Sequence, residues 1–360
     1  MSSLATDSGT QLARDYLRGK RIMVTGVCGT IGQRLVSHLI EQFEIQSLAG
    51  IDNNESQLAF LEERHRHRAN VQFLLGDIRD LGVMVRESRG VDVMFHAAAY
   101  KHVYLCERSP LEAIQTNVLG VQNIVQAAVE NGIERLVFTS SDKAVNPTNV
   151  MGTSKLMGER LITAAAIDPN HAGTRFLSTR FGNVLGSRGS VIPIFRDQIR
   201  KGGPVTLTHP DMTRFIMSLD DAVRLVVESM VLGQPGDVLI TKMEAICIAD
   251  LAAVMVREYA PKCGRRPADI EIRLIGPKPG EKMHEELMNE EETRRSLELD
   301  RYFVVRPALA RPERAEPYDG VVRKTVERPY NSANVKPLSQ EELARFLHAH
   351  HLVDGRGPES

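Results

Sequence analysis

From Lys20 to Thr179 the chain alternates short β-branched runs with longer helical patterns, and nothing else in it constrains the fold as tightly. The runs Arg21–Thr25, Ser47–Ile51, Val71–Leu75, Val91–His96, Arg135–Thr139 and Thr174–Thr179 read as strands, with room for helices between them. Strict alternation predicts an α/β fold: a doubly wound parallel sheet covered on both faces, with ligands gathering at the carboxyl ends of the strands.

Those strand ends carry the motifs. Thr25-Gly26-Val27-Cys28-Gly29-Thr30-Ile31-Gly32 follows an apolar strand and opens a helix. There glycines permit a tight turn and close approach to a pyrophosphate, which the helix N-terminus then faces. A glycine-rich turn can also be purely structural, so a partner matters. Asp52 ends the second strand about 20 residues beyond the last glycine, where a carboxylate accepts both ribose hydroxyls and repels a 2′-phosphate. Asn53, Asn54 and Glu55 follow it, with no arginine, so NAD is expected rather than NADP; the alternative for Asp52 is a helix cap. Asp77 and Ile78 end the third strand, where the carboxylate would reach the adenine amino group. Ala97, Ala98 and Ala99 end the fourth, where small residues let the backbone lie against a cofactor or simply pack closely.

The rest of the chain bounds the answer. With 42% hydrophobic residues, 360 residues are enough for one large core, or a large core and a satellite. Forty-five basic against 46 acidic residues offer no general attraction to nucleic acid or an anionic membrane. Cys28, Cys106, Cys247 and Cys263 have neither zinc-site spacing nor disulfide density, which points to a reducing cytoplasm. His348, His350 and His351 read as solvated surface, so no metal is expected. There is no signal-like segment and no membrane span.

After Phe181 the pattern loosens through Gly186-Ser187-Arg188-Gly189-Ser190. Helices are expected near Ile192–Arg200, Ser218–Leu232 and Ile248–Tyr259, with Asp237–Ile240 a strand able to rejoin the sheet. Residues 306–337 read as extended surface structure, and Ser339 with Glu342 as a capping box for a last helix. The expected division is a nucleotide-binding domain over 1–185 and 212–245, a smaller discontinuous domain over 186–211 and 246–335, and a C-terminal helix and tail over 336–360.

Several stretches together carry a resemblance: His96 through Val103, Ser141-Asp142-Lys143 through Pro147, Met151-x-x-x-Lys155, Gly182 through Ser190 and Pro279-Gly280-Glu281-Lys282. From about Lys20 to about Leu287 the chain resembles extended short-chain dehydrogenase/reductases with a Rossmann-type domain. It is most similar to the nucleotide-sugar 4,6-dehydratases of bacterial polysaccharide and glycan biosynthesis, in particular those acting on UDP-N-acetylglucosamine. Tyr330-Asn331-Ser332 is also familiar in them. The resemblance implies tightly retained NAD, oxidation at sugar C4, loss of water across C5 and C6, and hydride return to C6. Nucleotide-sugar 5,6-dehydratases and epimerases share the first oxidation; a non-catalytic NAD- or nucleotide-sugar-binding regulator is the alternative of another class.

Within that resemblance Asp142 is the acid for the C6 hydroxyl and Lys143 the base at C5, its amine neutralised by desolvation and nearby positive charge. Lys155 serves the nicotinamide ribose. Met151 occupies the usual tyrosine position and has no proton to exchange. Deprotonation of the C4 hydroxyl then falls to Ser141, relaying toward Lys155 or water, with Asp142 and Lys143 as rivals. Lys101 and His102 are expected near the sugar, Lys101 and Asn117 near the cofactor, and Asn117 alternatively as a structural residue. Asn183, Arg188, Ser190, Val191, Arg214 and Glu281 are expected to hold the UDP portion, an arginine being suited to phosphate. Cys28 and Tyr104 depart from the pattern, where small residues and proline are frequent, and bear on the pyrophosphate turn and the sugar pocket. The resemblance also implies a homo-oligomer, a dimer or a hexamer.

Overall fold

The computed structural model describes residues 8–187, 189–309 and 317–354. In chain order, α1 (Ser8–Leu17) leads to β1 (Arg21–Thr25), α2 (Thr30–Gln42), β2 (Ser47–Asp52), α3 (Glu55–His65), β3 (Val71–Leu75), α4 (Leu81–Glu87) and β4 (Val93–His96). Two short helices, α5 (Val103–Arg108) and α6 (Pro110–Ile114), and a π-helical turn over Gln115–Leu119 precede α7 (Gly120–Glu130), β5 (Arg135–Thr139), α8 (Val150–Ile167) and β6 (Arg175–Arg180). Then come β7 (Asn183–Val184), α9 (Val191–Lys201), β8 (Val205–Leu207), β9 (Thr213–Met217), α10 (Leu219–Leu232), β10 (Val238–Thr241), β11 (Glu244–Cys247) and α11 (Ile248–Tyr259). The chain closes with β12 (Ile272–Leu274), β13 (Glu286–Met288), α12 (Glu290–Thr293), β14 (Ser296–Leu299), β15 (Tyr302–Val305), β16 (Val321–Arg323), β17 (Tyr330–Asn331) and α13 (Gln340–Ala349).

The main sheet runs β3-β2-β1-β4-β5-β6-β10-β15-β14-β16, parallel from β3 through β10 and antiparallel beyond. Strand order reverses between β1 and β4, which opens a crevice at their carboxyl ends. Alternation along the strands divides two cores, as a period of two requires. Ile22, Val24, Val93 and Phe95 join one face with residues of α1, α2 and α10, while Met23 and Met94 join the other with α4, α7 and α8.

A separate core gathers α9, α11 and α13 through Ile192, Phe195, Leu251, Met255, Leu343 and Leu347. The expected capping box at Ser339 and Glu342 is present. The boundaries drawn from the sequence need correction in three places. Residues 296–323 supply β14–β16 to the main sheet rather than to the smaller unit, because β10 leaves an edge that the antiparallel β15 covers. Strand β9 pairs instead with β7 and β11 in a separate three-stranded sheet. Helix α13 packs into the second core rather than standing apart. Among the described residues no helix is long and apolar enough to cross a membrane.

Candidate active site

At the end of β1, Gly26 has φ +74°, and a Cβ there would stand 2.6 Å from the Ala98 backbone. The alanine run after β4 and the turn after β1 are therefore in backbone contact, which accounts for small residues on both sides. A Cβ on Gly32 would lie 2.1 Å from the Gly26 carbonyl oxygen. Backbone cannot yield there as a side chain would, so Gly32→Ala is expected to cost about 1–3 kcal/mol, read by urea unfolding. Helix α2 begins at Thr30 without a capping side chain, so its N-terminus is available to an anion.

Asp52 is not a helix cap; Asn54 caps α3. The Asp52 Oδ2 accepts from the Cys28 amide at 2.9 Å and Oδ1 from the Asn54 amide at 3.0 Å. Each oxygen keeps a second lone pair for a ribose hydroxyl. This cradle of glycines, an uncapped helix and a strand-end carboxylate fits a dinucleotide. Cys28 does not stand out into the turn: it is buried, and its thiol lies 3.7 Å from the Asn54 carbonyl. Asn53 donates to Asp77 at 3.2 Å, while Arg79 forks onto the same carboxylate, down to 2.7 Å. Burial opposes ionisation of Asp77, but the Arg79 bonds hold it below its ordinary value. Asp77 thus meets any adenine as a carboxylate already paired. Ile78 is buried beneath it in the α7-side core.

Asn117 takes the structural alternative. Its amide bonds both the N–H and the carbonyl of Tyr100, at 2.8 and 2.9 Å, and donates to Ser154 at 2.9 Å, pinning the loop after β4 to α8. Ala97 and Ala98 are further tied to Thr25 by their amides. Lys101 and His102 follow on that loop. The His102 ring lies so close to Gly189 that a Cβ there would stand 2.5 Å from it, which joins the loop to the segment before α9.

Lys155, on α8, is buried and donates to the Thr139 carbonyl at 2.8 Å. Burial pushes its amine down to about 8, a shift that Glu159 partly opposes. Nearby His96 shares a hydrogen bond of 2.7 Å with Thr25, and burial, reinforced by Lys155, pushes the ring down to about 3 and keeps it neutral. Met151, one turn before Lys155, is buried in an apolar cluster with Cys106 and Ala113. Its thioether therefore serves packing.

The loop after β5 holds the charged centre. Ser141 donates to Asp142 at 2.7 Å, and the Asp142 amide bonds the Phe181 carbonyl at 2.9 Å, which fixes the loop to the end of β6. Lys143 Nζ stands 3.1 Å from Asp142 and 3.2 Å from Glu285, a residue the sequence reading did not single out. The side chain of Lys143 is 25% exposed, against 2% for Asp142 and 4% for Glu285, so the amine is the member that faces outward. Burial, then the Glu285 charge, pushes Asp142 above its ordinary value. Burial also favours a neutral Lys143, but Asp142 and Glu285 outweigh it and hold the ammonium above its usual range. The expected desolvated neutral lysine is thus corrected: two buried carboxylates keep it charged in the free site.

Arg214 lies behind Glu285. It donates to the carbonyls of Thr213 and Lys282 at 2.7 and 2.9 Å and stands 3.6 Å from both Glu281 and Glu285. The expected phosphate ligand is instead buried and engaged in holding residues 281–285. Lys282 donates to the Val145 carbonyl at 2.6 Å, and Asn149 to Gly280 at 3.0 Å, so this segment closes over the Asp142 loop. Asn183 lies on β7. Ser190 and Val191 open α9, and the buried Ser190 hydroxyl has no hydrogen-bond partner among the described residues. Arg188 lies outside the described residues. No group of three or more His, Cys, Asp or Glu is arranged to hold a metal among the described residues.

Comparison with known proteins places this geometry. The family model described as polysaccharide biosynthesis protein matches residues 22–307. A Methanocaldococcus jannaschii protein named an uncharacterized membrane protein is 44% identical over 333 residues, covering 92% of this chain and 96% of that protein. The UDP-glucose 4-epimerase of Rickettsia canadensis is 37% identical, covering 91% and 95%. Among solved structures, Pen from Bacillus thuringiensis aligns with a TM-score of 0.87 at 37% identity, covering 94% of this chain and 99% of its own. DesIV, the dTDP-glucose 4,6-dehydratase of Streptomyces venezuelae with NAD bound, shares the fold at a TM-score of 0.67 and 21% identity, covering 94% and 98%.

Proposed function

Because this chain belongs to the polysaccharide biosynthesis protein family, among nucleotide-sugar dehydratases and epimerases, we propose that it is an NAD-dependent hydro-lyase. Its substrate is UDP-N-acetylglucosamine and its product a 4-keto-6-deoxy sugar nucleotide. The observation that carries this reading is the Asp142–Lys143–Glu285 centre at the end of β5. Epimerisation at C4 needs hydride removed and returned at one carbon. Elimination of water also needs an acid at C6 and a base at C5, and a carboxyl biased toward its protonated form beside an amine supplies both types of group.

When bound, NAD would supply a hydride acceptor at C4 and a hydride donor at C6. The chain's residues do the rest. Gly26, Gly29 and Gly32 admit the pyrophosphate, and Asp52 selects the free ribose hydroxyl. Lys155, biased toward neutrality, holds the nicotinamide ribose and exchanges a proton near neutral pH. Ser141 takes up the C4 hydroxyl, Asp142 protonates the departing C6 oxygen, and Lys143, once its ammonium has given up a proton, removes the C5 proton. Lys101, His102, Asn183, Ser190, Val191 and Glu281 are assigned to the sugar nucleotide. Arg214 braces them from behind.

Nuclear magnetic resonance of the reaction with UDP-N-acetylglucosamine in heavy water tests this. Loss of one water with deuterium at C5 is expected. An unchanged skeleton with a new C4 configuration would instead establish the epimerase, the second reading that the Rickettsia relative favours. Binding without turnover across a broad nucleotide-sugar panel would establish a regulator.

A further inference from the structure

Glu285 is buried at 3% exposure, and only one of its oxygens is engaged: Oε1 faces Lys143 at 3.2 Å and Arg214 at 3.6 Å. The other, Oε2, has no hydrogen-bond partner among the described residues. A buried carboxylate oxygen left bare is costly unless it has a task. Its backbone, by contrast, is clamped on both sides. The Glu285 amide donates to Ser332 Oγ at 3.0 Å, and the Ser332 amide to the Glu285 carbonyl at 2.9 Å. Ser332 Oγ in turn lies 2.8 Å from Thr213 Oγ1. Residues from two distant parts of the chain thus hold Glu285 against Lys143, and this is the work done by Ser332 of the Tyr330-Asn331-Ser332 motif.

We infer that Glu285 is a positioning residue of the acid–base centre, which holds Lys143 as an ammonium beside Asp142 and accepts its proton on Oε1, the oxygen that faces the amine, when the free amine is needed. In that step an N–H bond of Lys143 breaks and an O–H bond forms on Glu285. An ion pair becomes a neutral pair and net charge is conserved. The groups facing Lys143 are Asp142 from its own loop, Glu285, and Arg214 behind Glu285; Lys282 and Glu281 flank that arginine and carboxylate. Burial opposes ionisation of Glu285, but Lys143 and Arg214 hold it below its ordinary value, so the resting form is the ion pair. The proton-accepting role rests on the dehydratase reading; the charge-setting role does not.

Two measurements on the full chain separate them. First, arylation of Lys143 by dinitrofluorobenzene, followed by mass spectrometry across pH, reports the free amine without substrate. Removing the Glu285 charge lowers the proton affinity of Lys143, so Glu285→Gln should move half-labelling about 1–3 pH units toward acid. Glu285→Asp, which keeps the charge but draws it back, should move it less in the same direction and serves if the Gln variant fails to fold. Unchanged labelling in a folded variant overturns the inference. Second, turnover of UDP-N-acetylglucosamine by Glu285→Gln should fall about 100-fold in kcat, with KM little changed and both limbs of its pH profile moved toward acid. Shifted labelling with full kcat at every pH overturns the proton-accepting role. Shifted labelling in a protein whose wild type yields no dehydrated sugar supports the charge-setting role and overturns the dehydratase reading instead.

Discussion

Asp142→Asn is expected to lower formation of the dehydrated product by about 10²- to 10⁴-fold, the scale of a lost general acid. The replacement keeps the shape, and an amide can still accept from Ser141 and Lys143. What it removes is a transferable proton. Oxidation at C4 precedes the lost step, so enzyme-bound NADH should accumulate, visible by its absorbance after mixing with substrate. If the variant forms no NADH, the defect lies at C4, and Asp142 rather than Ser141 is the acceptor of the C4 proton. A rate equal to wild type sinks both assignments. Because Asp142 is pushed up by burial and by Glu285, the acid form persists above the ordinary carboxylate range. Wild-type turnover should accordingly hold as pH rises through that range and fall only once the folded-state pKa is passed.

The second large effect is on stability. Arg180, at the end of β6, is buried and bonds Glu159 of α8 at 2.7 and 2.9 Å, Glu292 of α12 at 2.7 and 2.8 Å, and the Leu287 carbonyl at 2.9 Å. Arg180→Met leaves two buried carboxylates without the cation between them, Glu292 keeping Arg295 at 3.8 Å. The expected loss is about 3–5 kcal/mol, measured by urea unfolding, because the desolvation of both charges is no longer offset. The triple variant Glu159→Gln, Arg180→Met, Glu292→Gln should recover much of that loss. Its failure to do so would mean that the triad contributes net stability as an ionic unit. Glu159 also acts on Lys155, so the single variant is expected to perturb the Lys155 amine as well.

How much of this was legible in the sequence depended on how local each feature is. The six strand runs before Phe181 needed only period and propensity, and β1, β3 and β5 have the expected bounds. The glycine turn and Asp52 were readable because a mononucleotide cradle is built within one βαβ unit. Helix α1 was not singled out: its buried face is only Gly9, Ala13 and Leu17, and its docking uses Tyr16 against Arg135 and Glu134, far along the chain. Arg180 carries no local sign of its burial, because Glu159 and Glu292 lie 21 and 112 residues from it in the chain. Arg214 looked like a phosphate ligand, and only the fold shows its donors turned onto residues 281–285. Glu285 sat beside a recognised motif, yet a glutamate in a polar stretch carries no sign of burial.

The sequence by itself determined the sheet, the cofactor turn and the identity of the groups at the end of β5, because each depends on residues near one another along the chain. It also determined that Met151 brings no proton. Tertiary structure completed the charge balance of Lys143, to which the adjacent Asp142 also contributes. Desolvation by itself would neutralise that amine, but the fold brings a carboxylate 142 residues away to 3.2 Å and seals it from water. A charge state is a balance between burial and neighbours; Asp142 is adjacent in the chain, but the burial and the second carboxylate come from segments that meet only in the folded protein.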